Sequence, residues 1–221
     1  MTKYYKAFDR NLTCNKFQFE IGKEYVHDGE IVMYQSGFHC CENILNCLCY
    51  YPADSRFCEV EIGDEFITDN DKIVTSKIKI VREIIGDELD ELLTGTLNYE
   101  YSKYTYLNGS LHSKDDKPSI DRMGWRREWH CLGRLHRAGD KPARVLSDGH
   151  QEWWVNGQLH RETKDFKGNI KPAVIYPDGR MEWWVNGEFI RNSDYYKLNK
   201  VWYVMTISFM AALAYFKPKY N

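Results

Sequence analysis

The sequence predicts an α+β fold that is mostly β. An N-terminal α+β module spans residues 1–97, an antiparallel β-hairpin repeat meander spans 98–192, and an apolar capping segment spans 193–221. Three observations predict this. Aromatic residues make up 15% of the 221, with 16 Tyr and 7 Trp, and such side chains favour the pleated, half-buried surface of a strand. A turn dipeptide recurs at Asn108-Gly109, Leu132-Gly133, Asn156-Gly157 and Asn186-Gly187, 24, 24 and 30 residues apart. The charge divides unevenly: residues 1–97 hold 10 Lys+Arg against 18 Asp+Glu, and residues 98–221 hold 20 against 14, so a net of −8 precedes a net of +6. With 43% hydrophobic and 28% charged residues, the composition excludes a disordered chain, a coiled coil, collagen and a multi-span membrane protein. A chain of this length folds without needing disulfides.

The first module reads as follows. Tyr4 to Phe8 is a strand, and the alternating stretch from Lys16 to Lys23 is a second. Tyr34 to Cys41 leads into a short helix from Glu42 to Leu48, stopped by Pro52. Arg56 to Gly63 alternates cleanly as a strand, and Lys72 to Glu83, rich in Ile and Val, is one long strand. Gly86 to Leu93 is an acidic helical turn or linker. Six of the seven Cys lie between Cys14 and Cys58 with no paired C-x-x-C spacing, so they read as free thiols packed as small apolar groups, with no metal assigned.

The repeats carry more than their turns. Leu111-His112, Leu135-His136 and Leu159-His160 follow the first three turns, then Lys117-Pro118, Lys141-Pro142 and Lys171-Pro172. The third interval has six extra residues around Asp165 to Ile170. Trp129, Trp153-Trp154 and Trp183-Trp184 precede turns, and a second turn, Asp148-Gly149 or Asp178-Gly179, precedes the paired Trp. Both Asn-Gly and Asp-Gly favour the positive φ of tight hairpins. One unit therefore reads as the meander Ala143 to Leu146, Gln151 to Val155, Gln158 to Arg161, with Trp153 and Val155 on one face and Glu152 and Trp154 on the other. A single unit cannot bury its apolar face, but stacked neighbours can.

The order Trp-Val-Asn-Gly-Gln-Leu-His-Arg, Lys-Pro-Ala, Asp-Gly, from about Tyr101 to Arg191, resembles MORN-like β-hairpin repeats, though without the Tyr-x-Gly opening of that unit. The resemblance implies a scaffold or interaction surface of the kind found in phage and large-virus proteins. The stretch from Lys3 to Ile85, with Gly37-Phe38-His39 at its centre, resembles an uncharacterised domain of phages, large viruses and some bacteria, which brings no activity with it. A looser resemblance is to the ADP-ribosyltransferase fold. It implies Ser36 or His39 as a middle residue and Glu59, Glu61 or Glu83 as the acid that handles NAD, while Tyr5 and Lys6 stand where that fold has its first-strand Arg or His.

Other candidates come from the repeats. Trp129, Trp153, Trp154, Trp183 and Trp184 offer rings for stacking, and His136, His160 and Arg161 lie beside them. Equivalent His in stacked units stand about 10 Å apart, too far to share one metal ion. Residues 201–216 are apolar between Lys200 and Lys217; at 16 they fall short of a spanning helix, which favours a cap over a membrane anchor. Met1 to Lys6 lacks a signal peptide's apolar stretch, which implies a cytoplasmic location, the host's if the protein is viral. The sequence reading is thus a non-enzymatic interaction protein, without cofactor, binding a protein partner through its repeat sheet. Two alternatives stay open: an NAD-using ADP-ribosyltransferase-like domain, and nucleic-acid binding through the basic, Trp-rich half.

Overall fold

The computed structural model describes residues 2–193, so the predicted cap, including its apolar run at 201–216, lies outside the described residues apart from Ser193. The chain is α+β and mostly β, in antiparallel sheets. Contacts divide it into two units: residues 1–123 with 129–134, and residues 124–128 with 135 onward. The sequence boundary at residue 97 does not coincide with this division. Leu97 is buried beside Leu93, Ile84 and Phe57 in the first unit's core.

In the first unit, Tyr4–Phe8 pairs with Arg56–Ile62, Tyr4 opposite Val60 and Phe8 opposite Arg56. Lys77–Ile84 and then Glu24–Val26 complete a four-stranded sheet. A three-stranded sheet runs Phe38–Cys40, Lys72–Thr75, Phe66–Asp69. The predicted single strand from Lys72 to Glu83 is therefore two strands in two sheets. The switch sits at Ser76, beside fully buried Thr75, whose hydroxyl bonds the carbonyls of Glu65 and Lys77. Such a local side-chain bond competes with the ladder and bends the chain. The predicted strand from Lys16 to Lys23 shrinks to Phe17–Gln18, paired with Thr13–Cys14. Lys16 and Gly22 take φ of +65 and +83, and these left-handed residues end the extended run on both sides.

The predicted first helix is Ile44–Cys47, capped by the Asn43 carboxamide, which accepts from Leu45 N at 2.9 Å. The acidic turn is a helix, Gly86–Leu92, with Asp87 and Glu88 in its first turn, where the helix dipole favours them. Cys40, Cys41, Cys47 and Cys58 are buried free thiols. Gly95–Tyr99, Ser102–Leu107 and Ile120–Arg122 form a further antiparallel run in this unit.

In the second unit, Arg126–Glu128, Arg144–Leu146, Gln151–Glu152, Val174–Ile175, Met181–Val185 and Glu188–Asn192 form an antiparallel ladder in that order. The predicted continuous strand Gln151 to Val155 is broken at Trp153. Trp153 N donates to Ala173 O at 2.8 Å, while Trp153 O accepts from His160 N at 3.0 Å. The two backbone groups of one residue thus serve different partners, and Trp154–Val155 leaves the ladder to pair with Gln158–Leu159 in a separate hairpin.

The Asn-Gly turns have positive φ at both residues, as expected. The Asp-Gly turns correct the same expectation, because only Gly149 and Gly179 are left-handed. Asp148 and Asp178 instead accept the backbone N–H two residues on, from His150 at 2.9 Å and Arg180 at 3.0 Å.

Each of the last three turns is seated on a preceding Leu-His pair. Gly133, Gly157 and Gly187 N donate to the carbonyls of Leu111, Leu135 and Leu159 at 2.8, 2.8 and 3.0 Å. Leu132, Asn156 and Asn186 N donate to Nδ1 of His112, His136 and His160 at 3.3, 3.4 and 3.3 Å. The first turn has no Leu-His before it. There Leu93 O accepts from Gly109 N at 2.9 Å and Thr94 Oγ1 accepts from Asn108 N at 2.9 Å. The end of the acidic helix therefore supplies the seat that later units supply to one another. Gly109 is fixed by this fit: a Cβ on it would lie 2.7 Å from Ala53 Cβ, at φ of +71. Thr94→Val removes the acceptor and keeps the shape, leaving the N–H of exposed Asn108 to water. It is expected to cost about 0.5–1 kcal/mol, read as a lower urea midpoint at unchanged slope.

Candidate functional site

The first unit holds a cavity of about 570 Å³, the size of a small-molecule site. Residues of the Tyr4–Phe8 and Phe38–Cys40 strands line it, together with Phe17, Phe19, Tyr34, Tyr50 and Lys72. The Gly37-Phe38-His39 motif shapes its wall. Gly37 has φ of +103, and a Cβ there would lie 2.8 Å from Val74 Cγ2, so only glycine lets the chain turn against the neighbouring strand. Phe38, His39 and Cys40 then pair opposite Thr75, Val74 and Ile73.

His39 sits on the cavity wall and is held neutral. Burial, then the Lys72 and Lys6 ammonium groups, lower its pKa from 6.5 to about 4. Its Nε2 accepts from Tyr34 N at 3.0 Å. Lys6 is 6% exposed and donates to His39 O at 2.8 Å. Lys72 Nζ lies 4.0 Å from the Tyr50 ring centre and 4.8 Å from that of Tyr34. Both rings are anchored, Tyr50 OH donating to Asp71 and Tyr34 OH to Asp69 at 2.9 Å each. These bonds favour the protonated phenols: Tyr34 is pushed up to about 12, chiefly by its bond to Asp69, and Tyr50 goes higher still, chiefly by burial. Burial also drives the Cys40 thiol up to about 12, so it is no thiolate nucleophile beside His39.

The other catalytic candidates stand elsewhere. Ser36 Oγ lies 2.7 Å from His27 Nε2 and donates to Glu30 O at 2.9 Å. Its one proton is committed to that carbonyl, so His27 is its donor and not its base. Glu59, Glu61 and Glu83 do not line the cavity. Glu59 pairs with Arg82 at 2.8 Å, Glu61 with Lys79 at 3.2 Å, and Glu83 with Arg56 at 2.5 Å. Among the described residues no three His, Cys, Asp or Glu converge as a metal-ligand set.

The repeat candidates are bound to their own scaffold. Trp129, Trp153 and Trp183 each donate the indole N–H to a carbonyl thirteen residues back, Asp116, Asp140 and Ile170, at 2.9, 3.1 and 3.0 Å. The six extra residues thus fall before the thirteen-residue span that runs from Ile170 to Trp183. Trp154 and Trp184 donate to Glu152 and Glu182 at 2.6 and 2.8 Å. Arg161 lies over the Trp153 ring at 3.9 Å and pairs with Asp140 at 2.6 Å. The cavity among Trp153, Trp154, His160 and Arg161 is only about 20 Å³, room for a single water.

Sequence reasoning missed Lys6, Lys72, Tyr34 and Tyr50. One signal was present: in Tyr4 to Phe8, a period of two puts Lys6 on the same face as Tyr4 and Phe8, which pack in the core.

Residues 2–92 match the family model DUF7666, a domain of unknown function. The match covers the cavity and the acidic helix, and ends just before Leu93 and Thr94. No curated protein and no solved structure matches the chain.

Two outcomes follow for this unit and its neighbour. Because the folded pKa of His39 is depressed, the unfolded chain takes up the proton first as pH falls below 6.5. Wild-type stability is expected to drop between pH 6.5 and about 4, and His39→Gln to lose that slope in urea titrations at each pH. In the second unit, the Arg161, Lys171 and Thr163 bonds hold Asp140 well below its usual 3.8, so its contribution is present above about pH 4 and lost below it. Asp140→Asn is expected to cost about 1–3 kcal/mol at pH 7 and markedly less at pH 2, by the same method.

Proposed function

We propose that this chain is a non-enzymatic interaction protein whose repeat unit binds a protein partner. The observation that carries the reading is the loop at the six-residue insertion. Phe166 is 93% exposed there, yet the loop beneath it is tied: Asp165 Oδ1 accepts from Lys167 N at 2.8 Å and Asn169 N at 2.9 Å, and Gly168 N donates to Asp165 O at 3.0 Å. A large apolar ring on a preorganised loop is the usual form of an interface anchor. Lys164 and Lys167 flank it, so the partner surface it fits is an apolar pocket with an acidic rim.

The alternatives find less support. A nucleic-acid platform needs open rings and open cations, whereas Arg161 and Arg191 already cover Trp153 and Trp183 at 3.9 and 4.6 Å. Arg144, Arg161, Lys171 and Arg180 are paired with carboxylates. An ADP-ribosyltransferase needs a carboxylate beside the ribose of NAD, and the three candidate glutamates lie outside the cavity that holds His39. No helix among the described residues is long and apolar enough to cross a membrane.

The test compares full-length wild type and Phe166→Asp as baits in the same cell extract. A protein retained by wild type is expected to fall at least tenfold on the variant, about the 1.4 kcal/mol that one interface anchor commands at minimum, with an unchanged melting temperature. Equal retention by both baits, or NAD consumption by the pure chain that depends on Glu59, Glu61 or Glu83, would sink the reading.

A further inference from the structure

We propose that the cavity of the first unit binds a small organic anion carrying a flat ring, with the Lys6 ammonium as the partner of its charge. Lys6 is more than nine-tenths buried, and among the described residues no carboxylate pairs with it. Its ammonium has three donors. One goes to His39 O at 2.8 Å, and a second has only the weak acceptor Cys14 Sγ at 3.7 Å. The rings of Phe8 and Phe19, at 5.3 and 5.9 Å, offer faces rather than a counter-charge. A buried charge in this state is costly unless something compensates it. Cys14, Phe19 and His39 all line the cavity, so the open donor is where a ligand would sit.

The rest of the cavity supports the same chemistry. Lys72 adds a second ammonium, steadied by Tyr34 and Tyr50, and among the described residues no carboxylate forms an ion pair with it. Asp28, itself exposed, is the only acid on the wall among the described residues. Lys6 and Lys72 both line the cavity, and both ammonium groups are near enough to His39 to lower its pKa. An aromatic wall adjoins the charge: Phe19 packs edge-on against Phe17 at 4.8 Å, and Phe17 remains 47% exposed. An inorganic anion would leave that wall wet, and a neutral ring would leave Lys6 uncompensated. A ligand with both parts satisfies both.

The test titrates the full-length protein with phenyl phosphate, benzoate, inorganic phosphate and benzylamine at constant ionic strength, by calorimetry and by proton resonance. Saturable binding of phenyl phosphate or benzoate is expected, and which of the two binds separates a phosphate from a carboxylate ligand. Inorganic phosphate is expected to bind more weakly and benzylamine not at all. Lys6→Met is expected to weaken the bound anion at least about thirtyfold while melting no lower than wild type, since it removes an unpaired buried charge. The proposal falls if neither ring-bearing anion saturates at millimolar concentration, if benzylamine binds as well, or if Lys6→Met binds unchanged. Should Lys6→Met fail to fold, the wild-type Lys6 ε-methylene resonances decide: they shift on saturation if the proposal holds and stay fixed if it fails. Phe166→Asp is expected to keep anion binding, so failure here and failure of the partner reading are read separately.

Discussion

A Leu carbonyl and a His ring nitrogen accept the two N–H groups of the next turn, and the repeats depend on that exchange. Backbone donors at a tight turn need partners, and a thin sheet offers few. In the second unit the buried hydrophobic residues among those described are Ala143, Trp153, Ala173 and Val174, too few to make a conventional core. Stability there comes from bonds repeated at fixed spacing: turn onto Leu-His, indole onto the carbonyl thirteen residues back, guanidinium onto ring and acid. The Arg144 guanidinium continues the theme, bridging the almost fully buried Glu128 at 2.5 Å and Glu152 at 2.9 Å.

That pattern explains why the most repetitive residues are not the most available ones. A side chain that recurs at every unit does so because every unit needs the same joint. His136, His160, Trp153 and Arg161 are joints. Open apolar side chains fall at other positions, at Phe166 in the insertion and at Met123, Trp125 and Leu132 in and beside turns.

The repeats were legible because turn chemistry is local. Asn-Gly fixes its own φ and ψ, and three copies together with Leu132-Gly133, at intervals of 24, 24 and 30 residues, leave little choice of architecture. The strand Arg56 to Ile62 was legible for a similar reason: Cys58 and Val60, both buried, alternate with Glu59 and Glu61, although Phe57 is buried as well. What escaped was long-range. Nothing in Lys72 to Glu83 announces that Thr75 will turn its hydroxyl onto Glu65 and send the two halves into different sheets. The break at Trp153 depends on Ala173, twenty residues away. The cavity needs six separated segments to meet, and only the motif at Gly37 and the alternation in Tyr4 to Phe8 hinted at two of them.

The last turn adds a consequence. Phe189 and Ile190 stand where earlier units carry Leu and His, and an Ile side chain has no nitrogen with which to accept an N–H. Among the described residues Leu93-Thr94 is the first seat of the series and Phe189-Ile190 the last pair, so the described array has ends that differ from its repeating joint. Copies of the 24-residue module spliced between those ends would each inherit a complete seat and provide one, making the number of units a parameter that gene duplication can change without redesigning either end.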